Sequence, residues 1–375
     1  MSDKKILLYL GKFPGYGFDV DGGSILARQL IDTLKEVCAL DVVFIRKNDE
    51  TFSDAFVRSV RYVPYLCANE NKFARRLKNL STNRAALSSY KMYDRVITAH
   101  VSKFFGMKDF GAEFWERTIL FPMFCTNSYK RVGEVVPAEY TNLEREVINF
   151  VQQIITPSTA ERDDLIRDYD CDAEKIFVVN RGIPPLIKYK FREHINRPLR
   201  LICIGSLKRQ KNTPAALKLL IMLEKLGLSA ELHLVCTIQE QSIYRELCEF
   251  ISLNELASRV KFHIAIPQTK LAELLTDMDM NISVSLWETF GRGIFEGACA
   301  GLPTLALDSL SAVKNLCANN SGIIFCESVE AMATEIFTLT RESHRYRMMS
   351  AALAQLAKNF SYEAERQNLL EVIFS

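Results

Sequence analysis

The strongest constraint on the fold is an alternation of short apolar segments with amphipathic segments of roughly 10–15 residues. In the second half of the chain the apolar segments include LRLICIG (199–205), AELHLVC (230–236) and VKFHIAI (260–266), and helical patterns such as TPAALKLLIMLEKLG (213–227) separate them. Continuous apolar strands joined by helices are typical of βαβ units, which form a parallel sheet covered on both faces. We count about six such strands, enough for one Rossmann-like domain.

The first half of the chain follows the same pattern less regularly. Its strand candidates are KILLYLG (5–11), LDVVFI (40–45), RVITAH (95–100), RTILFP (117–122), QIITPS (153–158) and KIFVVNRGIP (175–184). The segment that follows, PPLIKYKFREHINRP, is polar, basic and bounded by prolines, as is typical of a linker. We therefore predict an α/β protein with two Rossmann-like domains in tandem, residues 1–184 and 185–357, followed by a C-terminal tail.

Composition excludes several classes of protein. The 47 Lys and Arg residues nearly balance the 45 Asp and Glu residues, so the net charge of +2 argues against wholesale nucleic-acid binding. No apolar run reaches the ~18 residues of a membrane-spanning helix, and the N-terminal apolar stretch is too short for a signal peptide. We therefore expect a cytoplasmic protein. The ten cysteines form no CxxC pair, so we expect reduced and largely buried thiols.

Two features of the first half follow strand ends, where parallel sheets bind ligands. The glycine-rich loop GKFPGYGFDVDGGS ends with Gly22 and Gly23 just before a predicted helix, whose N-terminus favours a phosphate. A flexible surface loop is the alternative. His100 ends the strand RVITAH and can bind a sugar hydroxyl or a phosphate oxygen; a buried core histidine is the alternative.

In the second half, Gly205 ends a strand and is followed by Lys208, Arg209 and Lys211, just before a helix that begins near Thr213. A basic cluster at a helix N-terminus is suited to a diphosphate. Charge clusters are more often simply solvated, and that alternative stays open.

The strand NISVS leads into LWETFGRGIFEGACAGLP, which contains Glu288 and, eight residues later, Glu296. The segment TFGRG begins a helix whose unpaired N–H groups can bind a phosphate or a sugar oxygen. A carboxylate beside an anion is unfavourable unless it accepts hydrogen bonds from hydroxyls, which a ribose or a hexose supplies. The pattern therefore predicts a site for a sugar and a nucleotide.

This segment, SLWETFGRGIFEGACAGLPTLAL, resembles the E-x7-E signature of the retaining glycosyltransferases of family 4, which have the GT-B fold. IGSLKRQKN is similar to the G-R-L-x-x-x-K-G of that family, and EKIFVVNRGIP to its V-I-P-N-G-V-D crossover. The resemblance implies two Rossmann-like domains that face a central cleft, with the tail 358–375 packed back on the first. It also implies a retaining, metal-independent transfer of a hexose or an N-acetylhexosamine from a nucleotide diphosphate sugar to an acceptor hydroxyl.

The resemblance implies a role for individual residues. Glu296 would hold the ribose hydroxyls, Glu288 the hydroxyls of the donor sugar, and Lys211 the diphosphate, while His100 would contact the 6-position of the sugar. The remaining donor-binding positions would be Gly205, Ser206, Arg209, Thr289, Phe290, Gly291 and Arg292. Gly22 and Gly23 would let the first domain approach the phosphate or the acceptor.

The sequence departs from the family pattern at two site positions. Ser206 replaces a phosphate-binding arginine, and Thr289 replaces a glycine. Ser206 motivates an alternative, a non-catalytic GT-B subunit that binds a nucleotide sugar or stabilises a partner; a sugar-nucleotide epimerase or a phosphorylase of the same fold is another. Three D-x-D triplets, at 19–21, 170–172 and 277–279, are too scattered to predict a metal site, so we expect no metal and no other cofactor.

Residues 71–91 carry six basic and no acidic side chains, and Phe73, Leu77, Leu80 and Leu87 recur at helical spacing. Such a helix either packs its apolar stripe in the core or lies on an anionic membrane surface. The second interpretation would make the protein peripheral to the inner face of the membrane, with a lipid-linked acceptor. A glycan or a small molecule is the other acceptor class, and bacterial cell-surface polysaccharide or lipopolysaccharide assembly is the commonest setting in the family.

Overall fold

The computed structural model describes residues 4–10, 22–46, 59–64, 72–123, 125–238, 240–317 and 322–375. The chain divides into two compact units. Unit 1 comprises Met1–Val179 and Asn368–Ser375, and unit 2 comprises Asn180–Gln367.

Within the described residues, unit 1 contains one seven-stranded parallel sheet with the order β3-β2-β1-β4-β5-β6-β7. Its strands are β1 (Lys5–Leu10), β2 (Ala39–Arg46), β3 (Ser59–Pro64), β4 (Arg95–Ala99), β5 (Thr118–Phe121), β6 (Gln153–Thr156) and β7 (Ile176–Val178). Its helices are α1 (Gly22–Leu34), α2 (Lys72–Lys78), α3 (Leu80–Leu87), α4 (Ala112–Trp115), α5 (Thr126–Arg131), α6 (Ala138–Phe150) and α7 (Thr159–Tyr169).

Both faces of this sheet are buried, which explains why its strands read as continuous apolar runs. On β1, Leu7 and Tyr9 join one core cluster, whereas Ile6, Leu8 and Leu10 join the other. Successive side chains of a strand point to opposite faces, so each face receives alternate residues of the same segment.

The described part of unit 2 contains a six-stranded parallel sheet with the order β10-β9-β8-β11-β12-β13. Its strands are β8 (Leu199–Ile204), β9 (Ala230–Cys236), β10 (Val260–Ile264), β11 (Met280–Ser283), β12 (Thr304–Leu307) and β13 (Ile323–Cys326). Its helices are α8 (Thr213–Lys225), α9 (Gln241–Leu253), α10 (Gln268–Leu275), α11 (Arg292–Cys299), α12 (Ser311–Leu316), α13 (Val329–Leu339) and α14 (Ser343–Asn359). A last helix, α15 (Tyr362–Phe374), contains the boundary at which the chain returns to unit 1.

The unit boundaries differ from the sequence prediction by a few residues at each crossing. Unit 1 ends at Val179 rather than at residue 184, because the next residues bind the segment that precedes α15 and its first turns. The Gly182 N–H donates to the carboxylate of Glu365 over 2.8 Å, and the Ile183 N–H donates to the Phe360 carbonyl over 2.8 Å. The tail therefore joins unit 1 only from Asn368, whereas the prediction placed 358–375 there.

Residues 71–91, predicted as one helix, form α2, α3 and a 3-10 turn at Tyr90–Met92. Phe73 and Leu87 are buried in the core of unit 1, and Leu77 and Leu80 pack against it. The apolar stripe is thus a core stripe in the structure. Basic side chains of this segment form ion pairs: Lys72 with Glu134 over 2.5 Å, Arg84 with Asp109 over 3.4 Å and Lys91 with Glu113 over 3.3 Å.

Two further observations concern the sequence expectations about membranes and thiols. No helix among the described residues has both the length and the apolar character needed to cross a bilayer. In the same part of the chain nine cysteines are thiols rather than disulfides; seven are buried, Cys203 is half-buried and Cys248 is exposed. Burial raises the pKa of thiols such as those of Cys125 and Cys171, so these groups stay protonated and behave as small apolar side chains.

Candidate functional site

The strand order of unit 2 reverses between β8 and β11, the position at which open parallel sheets bind ligands at the carboxyl ends of their strands. Lys211 follows β8 and Glu288 follows β11. Lys211 Nζ lies 2.5 Å from Glu288 Oε1, and the two side chains are only 17% and 9% exposed. Two residues that are 77 positions apart in the sequence thus form a largely buried ion pair at the expected place.

The absence of a side chain at Gly205 leaves space for the side chain of Lys211. A Cβ atom at position 205 would lie 3.1 Å from Cδ and 3.3 Å from Cε of Lys211. These separations are tighter than a relaxed carbon–carbon contact. The absence of a side chain at the end of β8 therefore lets the aliphatic part of the lysine lie over the backbone.

Gln210, which the sequence did not single out, joins the two loops that carry the ion pair. Its side chain is 3% exposed, and its Nε2 donates to the Trp287 carbonyl over 2.7 Å. Its own carbonyl accepts the N–H of Leu286 over 2.9 Å. The 3-10 turn Arg209–Lys211 is therefore fixed to the loop after β11, and this fixes Lys211 beside Glu288.

Helix α11 packs very closely on the sheet beneath the site. Gly291, with φ +84°, lies in the left-handed region just before the helix, and the backbone reverses there at low cost because glycine has no Cβ. A Cβ on Gly293 would collide with the Ile204 carbonyl of β8, and one on Gly297 would collide with the Asn281 side chain of β11. Helix α11 therefore packs directly on β8 and β11, the two strands that carry the site.

Glu296, on α11, is a buried acid with unused hydrogen-bonding capacity. Its side chain is 2% exposed, and none of the described residues donates a hydrogen bond to Oε1. Burial raises the pKa of this carboxyl to about 7, although the positive charges of Arg292 and Lys211 act in the opposite direction. A ligand that brought hydroxyl donors to this carboxylate would satisfy a group that the protein leaves unsatisfied.

The other predicted donor-binding residues of unit 2 have different environments. Arg209 has an exposed side chain, and its backbone N–H donates to the Glu240 carboxylate. The Ser206 hydroxyl accepts a hydrogen bond from Thr237 over 3.0 Å, so a hydroxyl pair occupies the position where the family has an arginine.

Phe290 is 5% exposed and stacks on Phe295 with ring centroids 4.7 Å apart, so its side chain belongs to the core and only its backbone is available to a ligand. Thr289 is half-buried in the same loop. Arg292 donates to the Gly182 carbonyl over 3.3 Å.

In unit 1 the strand order reverses between β1 and β4, and His100 directly follows β4. Its φ of 151° is a strained value for a residue with a side chain, of the kind that clusters at functional sites. Nδ1 accepts the N–H of Ser102 over 3.1 Å, and Nε2 is buried without a partner in the part of the chain that the structure describes. Burial, reinforced by the charges of Arg76 and Lys103, lowers the pKa of His100 well below its usual value, which keeps the imidazole neutral.

Gly22 and Gly23 are the first two residues of α1, whereas the sequence predicted them in the loop just before this helix. The rest of that loop, residues 11–21, lies outside the described residues, and so does the D-x-D triplet at 19–21.

The two remaining D-x-D triplets have structural roles. Asp172 accepts the N–H of Glu174 over 3.0 Å. Asp279, 1% exposed, accepts the N–H groups of Asn196 and Arg200 over 3.0 and 2.7 Å. Across the described ranges no group of three or more His, Cys, Asp and Glu side chains is arranged to hold a metal ion.

Comparison with known proteins places this site in context. Residues 188–356 match the family model described as glycosyl transferases group 1. The match covers a little under half of the chain, and it includes every predicted site residue of unit 2. The curated amylovoran biosynthesis glycosyltransferase AmsK of Erwinia amylovora is 24% identical over 212 residues. That alignment covers 54% of this chain and 51% of AmsK, so it spans about half the length of that relative.

Solved structures resemble the chain over nearly its whole length. Sucrose-phosphate synthase from Thermosynechococcus elongatus has a TM-score of 0.80 at 15% identity, covering 98% of both chains. Anabaena HepE in complex with UDP-glucose has a TM-score of 0.73 at 16% identity, covering 98% of this chain and 99% of that one. WaaG, a glycosyltransferase involved in lipopolysaccharide biosynthesis, has a TM-score of 0.73 at 15% identity with the same coverage. The chain has the GT-B fold, and the predicted fold class is confirmed.

Proposed function

We propose that the protein is a glycosyltransferase that moves a sugar from a nucleotide diphosphate sugar to an acceptor hydroxyl with retention of anomeric configuration. The observation that carries the proposal is the buried ion pair of Lys211 and Glu288 at the switch point of unit 2, with the unsatisfied carboxyl of Glu296 on the adjacent helix. The group 1 match over the same residues and the UDP-glucose bound to HepE support a nucleotide sugar as the donor.

Glu296 would bind the ribose of the nucleotide. Its carboxylate is costly to hold buried and charged, and hydrogen bonds from two vicinal hydroxyls would offset that cost. Nucleotide binding would therefore favour the ionised form of a group whose pKa the protein alone holds at about 7.

Lys211 would exchange one anion for another when the donor binds. Its ammonium group pairs with Glu288 in the structure. A diphosphate is a stronger competitor for the same cation because it carries more charge, and its arrival would free Glu288 to accept hydrogen bonds from hydroxyls of the donor sugar.

Bond cleavage would leave an oxocarbenium-like sugar and a diphosphate that gains negative charge. Lys211 and the N–H groups at the start of α11 would stabilise that charge without a metal ion. The leaving phosphate would take the proton of the acceptor on the same face of the sugar. In this proposal His100 contacts the 6-position of the sugar through its neutral ring, a role that the family resemblance implies.

The proposed setting is bacterial cell-surface polysaccharide or lipopolysaccharide assembly, with a hexose or an N-acetylhexosamine as the transferred sugar. The names of AmsK and WaaG support that setting. A glycan, a lipid-linked sugar or a small molecule would be the acceptor. Because the apolar stripe of residues 71–91 lies in the core, the proposal gives this segment no membrane-binding role.

The decisive experiment combines nucleotide binding with turnover for single variants. UDP-, GDP- and ADP-sugars are first screened by thermal shift, since a ligand at 100 times its Kd adds about 2.7 kcal/mol of stability. With the best donor, Glu296→Ala should weaken nucleotide binding, whereas Lys211→Ala and Glu288→Ala should mainly lower kcat. Each effect should reach at least tenfold, which is about 1.4 kcal/mol.

Matched controls are Lys225→Ala and Glu249→Ala, which remove exposed side chains of the same types elsewhere in unit 2. Both controls should retain full activity. If neither glutamate variant changes binding or turnover by tenfold, the proposed site is wrong.

Ser206 favours a second candidate, a subunit that binds a nucleotide sugar without transferring it. The hydroxyl pair that Ser206 forms with Thr237 leaves one phosphate-binding cation of the family without a counterpart. A labelled donor that binds but undergoes neither slow hydrolysis nor transfer to any acceptor would establish this candidate instead.

A further inference from the structure

Unit 1 contains a second concave site, which the proposed function does not use. It lies among α5, α6 and α7 and has a volume of about 510 Å³. This is within the range of about 300–1,000 Å³ that small-molecule sites occupy. Its walls carry four cationic side chains, those of Lys130, Arg131, Arg145 and Arg167.

Two of these cations already have anionic partners. Arg131 lies 2.7 Å from Asp164, and Arg167 lies 2.6 Å from the same carboxylate and 2.7 Å from Asp168. Asp164 and Asp168 are therefore already engaged and offer little further neutralisation to the pocket.

The other two cations have no such neutralisation. Across the described residues, no carboxylate lies within ion-pair distance of Lys130 or Arg145. Arg145 donates only to the backbone carbonyl of Asp168, over 3.2 Å, and its guanidinium lies 5.7 Å from the centre of the Tyr169 ring. Like charges held in one concavity repel each other, and an anion between them removes that repulsion.

Thr126, which also lines the pocket, interacts with a buried acid of unit 1. It is 2% exposed, and its backbone N–H donates to the Glu144 carboxyl over 2.6 Å. Burial raises the pKa of Glu144, and hydrogen bonds from Tyr169 and from the hydroxyl and N–H of Thr126 lower it. The groups of the pocket that remain for a ligand are therefore the two cations, Lys130 and Arg145.

We propose that this pocket is an anion site for the phosphate group of a phosphate ester. Lys130 and Arg145 would supply charge-assisted hydrogen bonds to the phosphate oxygens. The volume exceeds what a bare phosphate needs and accommodates the attached organic group. The ester is either a soluble sugar phosphate or the headgroup of an anionic lipid, and both present the same phosphate chemistry.

The test measures binding of glucose 6-phosphate by calorimetry at low ionic strength, where exposed charges act most strongly. The double variant Lys130→Ala/Arg145→Ala should bind at least tenfold more weakly than the wild type. Lys130 and Arg145 are exposed, so the double variant should fold normally. The control Lys225→Ala/Arg245→Ala removes the same two charge types from exposed positions of unit 2 and should bind as the wild type does.

Co-sedimentation with phosphatidylglycerol vesicles distinguishes the two sources of the ester. Loss of glucose 6-phosphate binding in the double variant alone assigns the site to a soluble ester, and loss of vesicle binding alone assigns it to a lipid headgroup. Glu296→Ala should still bind glucose 6-phosphate or the vesicles as the wild type does. Failure of the sugar-transfer proposal and failure of the anion-site proposal can therefore be told apart. If neither probe separates the double variant from its charge-matched control, the pocket is only a solvated basic surface and the proposal is wrong.

Discussion

Replacing Glu296 with glutamine should stabilise the protein at alkaline pH and weaken nucleotide binding at the same time. The wild-type side chain is 2% exposed, and burial raises its pKa from 4.5 to about 7. A raised pKa means that the folded protein favours the protonated acid. Stability is therefore lost as the pH rises from 4.5 through 7, and above pH 7 the folded state bears the full cost of the buried charge.

The size of the effect follows from the two pKa values. The difference between a pKa of 4.5 and one of about 7 corresponds to roughly 3 kcal/mol of destabilisation well above pH 7. Most of this cost is absent near pH 5, so the stabilisation by Glu296→Gln should be roughly 2–3 kcal/mol larger at pH 8.5 than at pH 5. Glutamine has the shape of the acid without its charge, which isolates the electrostatic contribution.

Urea unfolding of wild type and Glu296→Gln at pH 5 and pH 8.5 measures this difference, with Glu249→Gln as an exposed control that should show no pH-dependent gain. The same samples are then titrated with the best-binding nucleotide. Because an amide oxygen accepts hydrogen bonds more weakly than a carboxylate and its nitrogen only donates, the Kd should rise at least tenfold. A stability change that is independent of pH, or a loss of stability at pH 8.5, would refute the electrostatic reasoning.

Three other outcomes follow from the geometry of unit 2. Gly297→Ala places a methyl group against the β11 side chain beneath α11 and should cost about 1–3 kcal/mol of unfolding free energy, measured by urea titration; an unchanged midpoint would contradict the close packing. Gln210→Ala removes the hydrogen bond to the Trp287 carbonyl that holds Lys211 beside Glu288. Initial-rate kinetics should therefore show a kcat about tenfold lower, with a smaller change in KM. An unaltered kcat would exclude a positioning role for Gln210. Burial, and then the neighbouring charge of His263, lowers the pKa of His233 to about 4, so the neutral ring stabilises the protein above pH 6.5 and this contribution is lost as the pH falls from 6.5 to 4. NMR titration of His233 measures this pKa. A midpoint near 6.5 would show that burial and the charge of His263 have no such effect.

Much of the site could be predicted because parallel strands share an edge. Lys211 and Glu288 each follow an apolar run that ends in a polar loop, and the carboxyl ends of neighbouring parallel strands lie together. The sequence pattern alone therefore predicts that both residues lie at the same edge of one sheet. Their direct ion pair is a further step that depends on loop geometry.

Other features carry no local signal. Gln210 is a polar residue in a basic turn. It becomes buried and hydrogen-bonded only because the loop after β11 packs against that turn in the folded protein. Strand β3, with the sequence SVRYVP, lies at the edge of its sheet and lacks the continuous apolar run by which the inner strands were recognised. Unit 1 ends at Val179 rather than at the predicted residue 184, because Gly182 binds Glu365 of unit 2. These two positions are 183 residues apart in the sequence, so no local pattern indicates the contact.

The bare backbone of Gly205 has a practical consequence for anyone who tests the proposed sugar transfer with variants designed for a new donor. Combinatorial libraries usually vary the residues nearest the ligand, and a glycine such as Gly205 would normally be among the positions chosen. Even alanine at this position would lie against Cδ and Cε of Lys211 and require that side chain to shift, so a library that varies position 205 mixes a change in the lysine position with any change in sugar choice. A selectivity screen on this scaffold should hold position 205 constant and vary the loop beyond it.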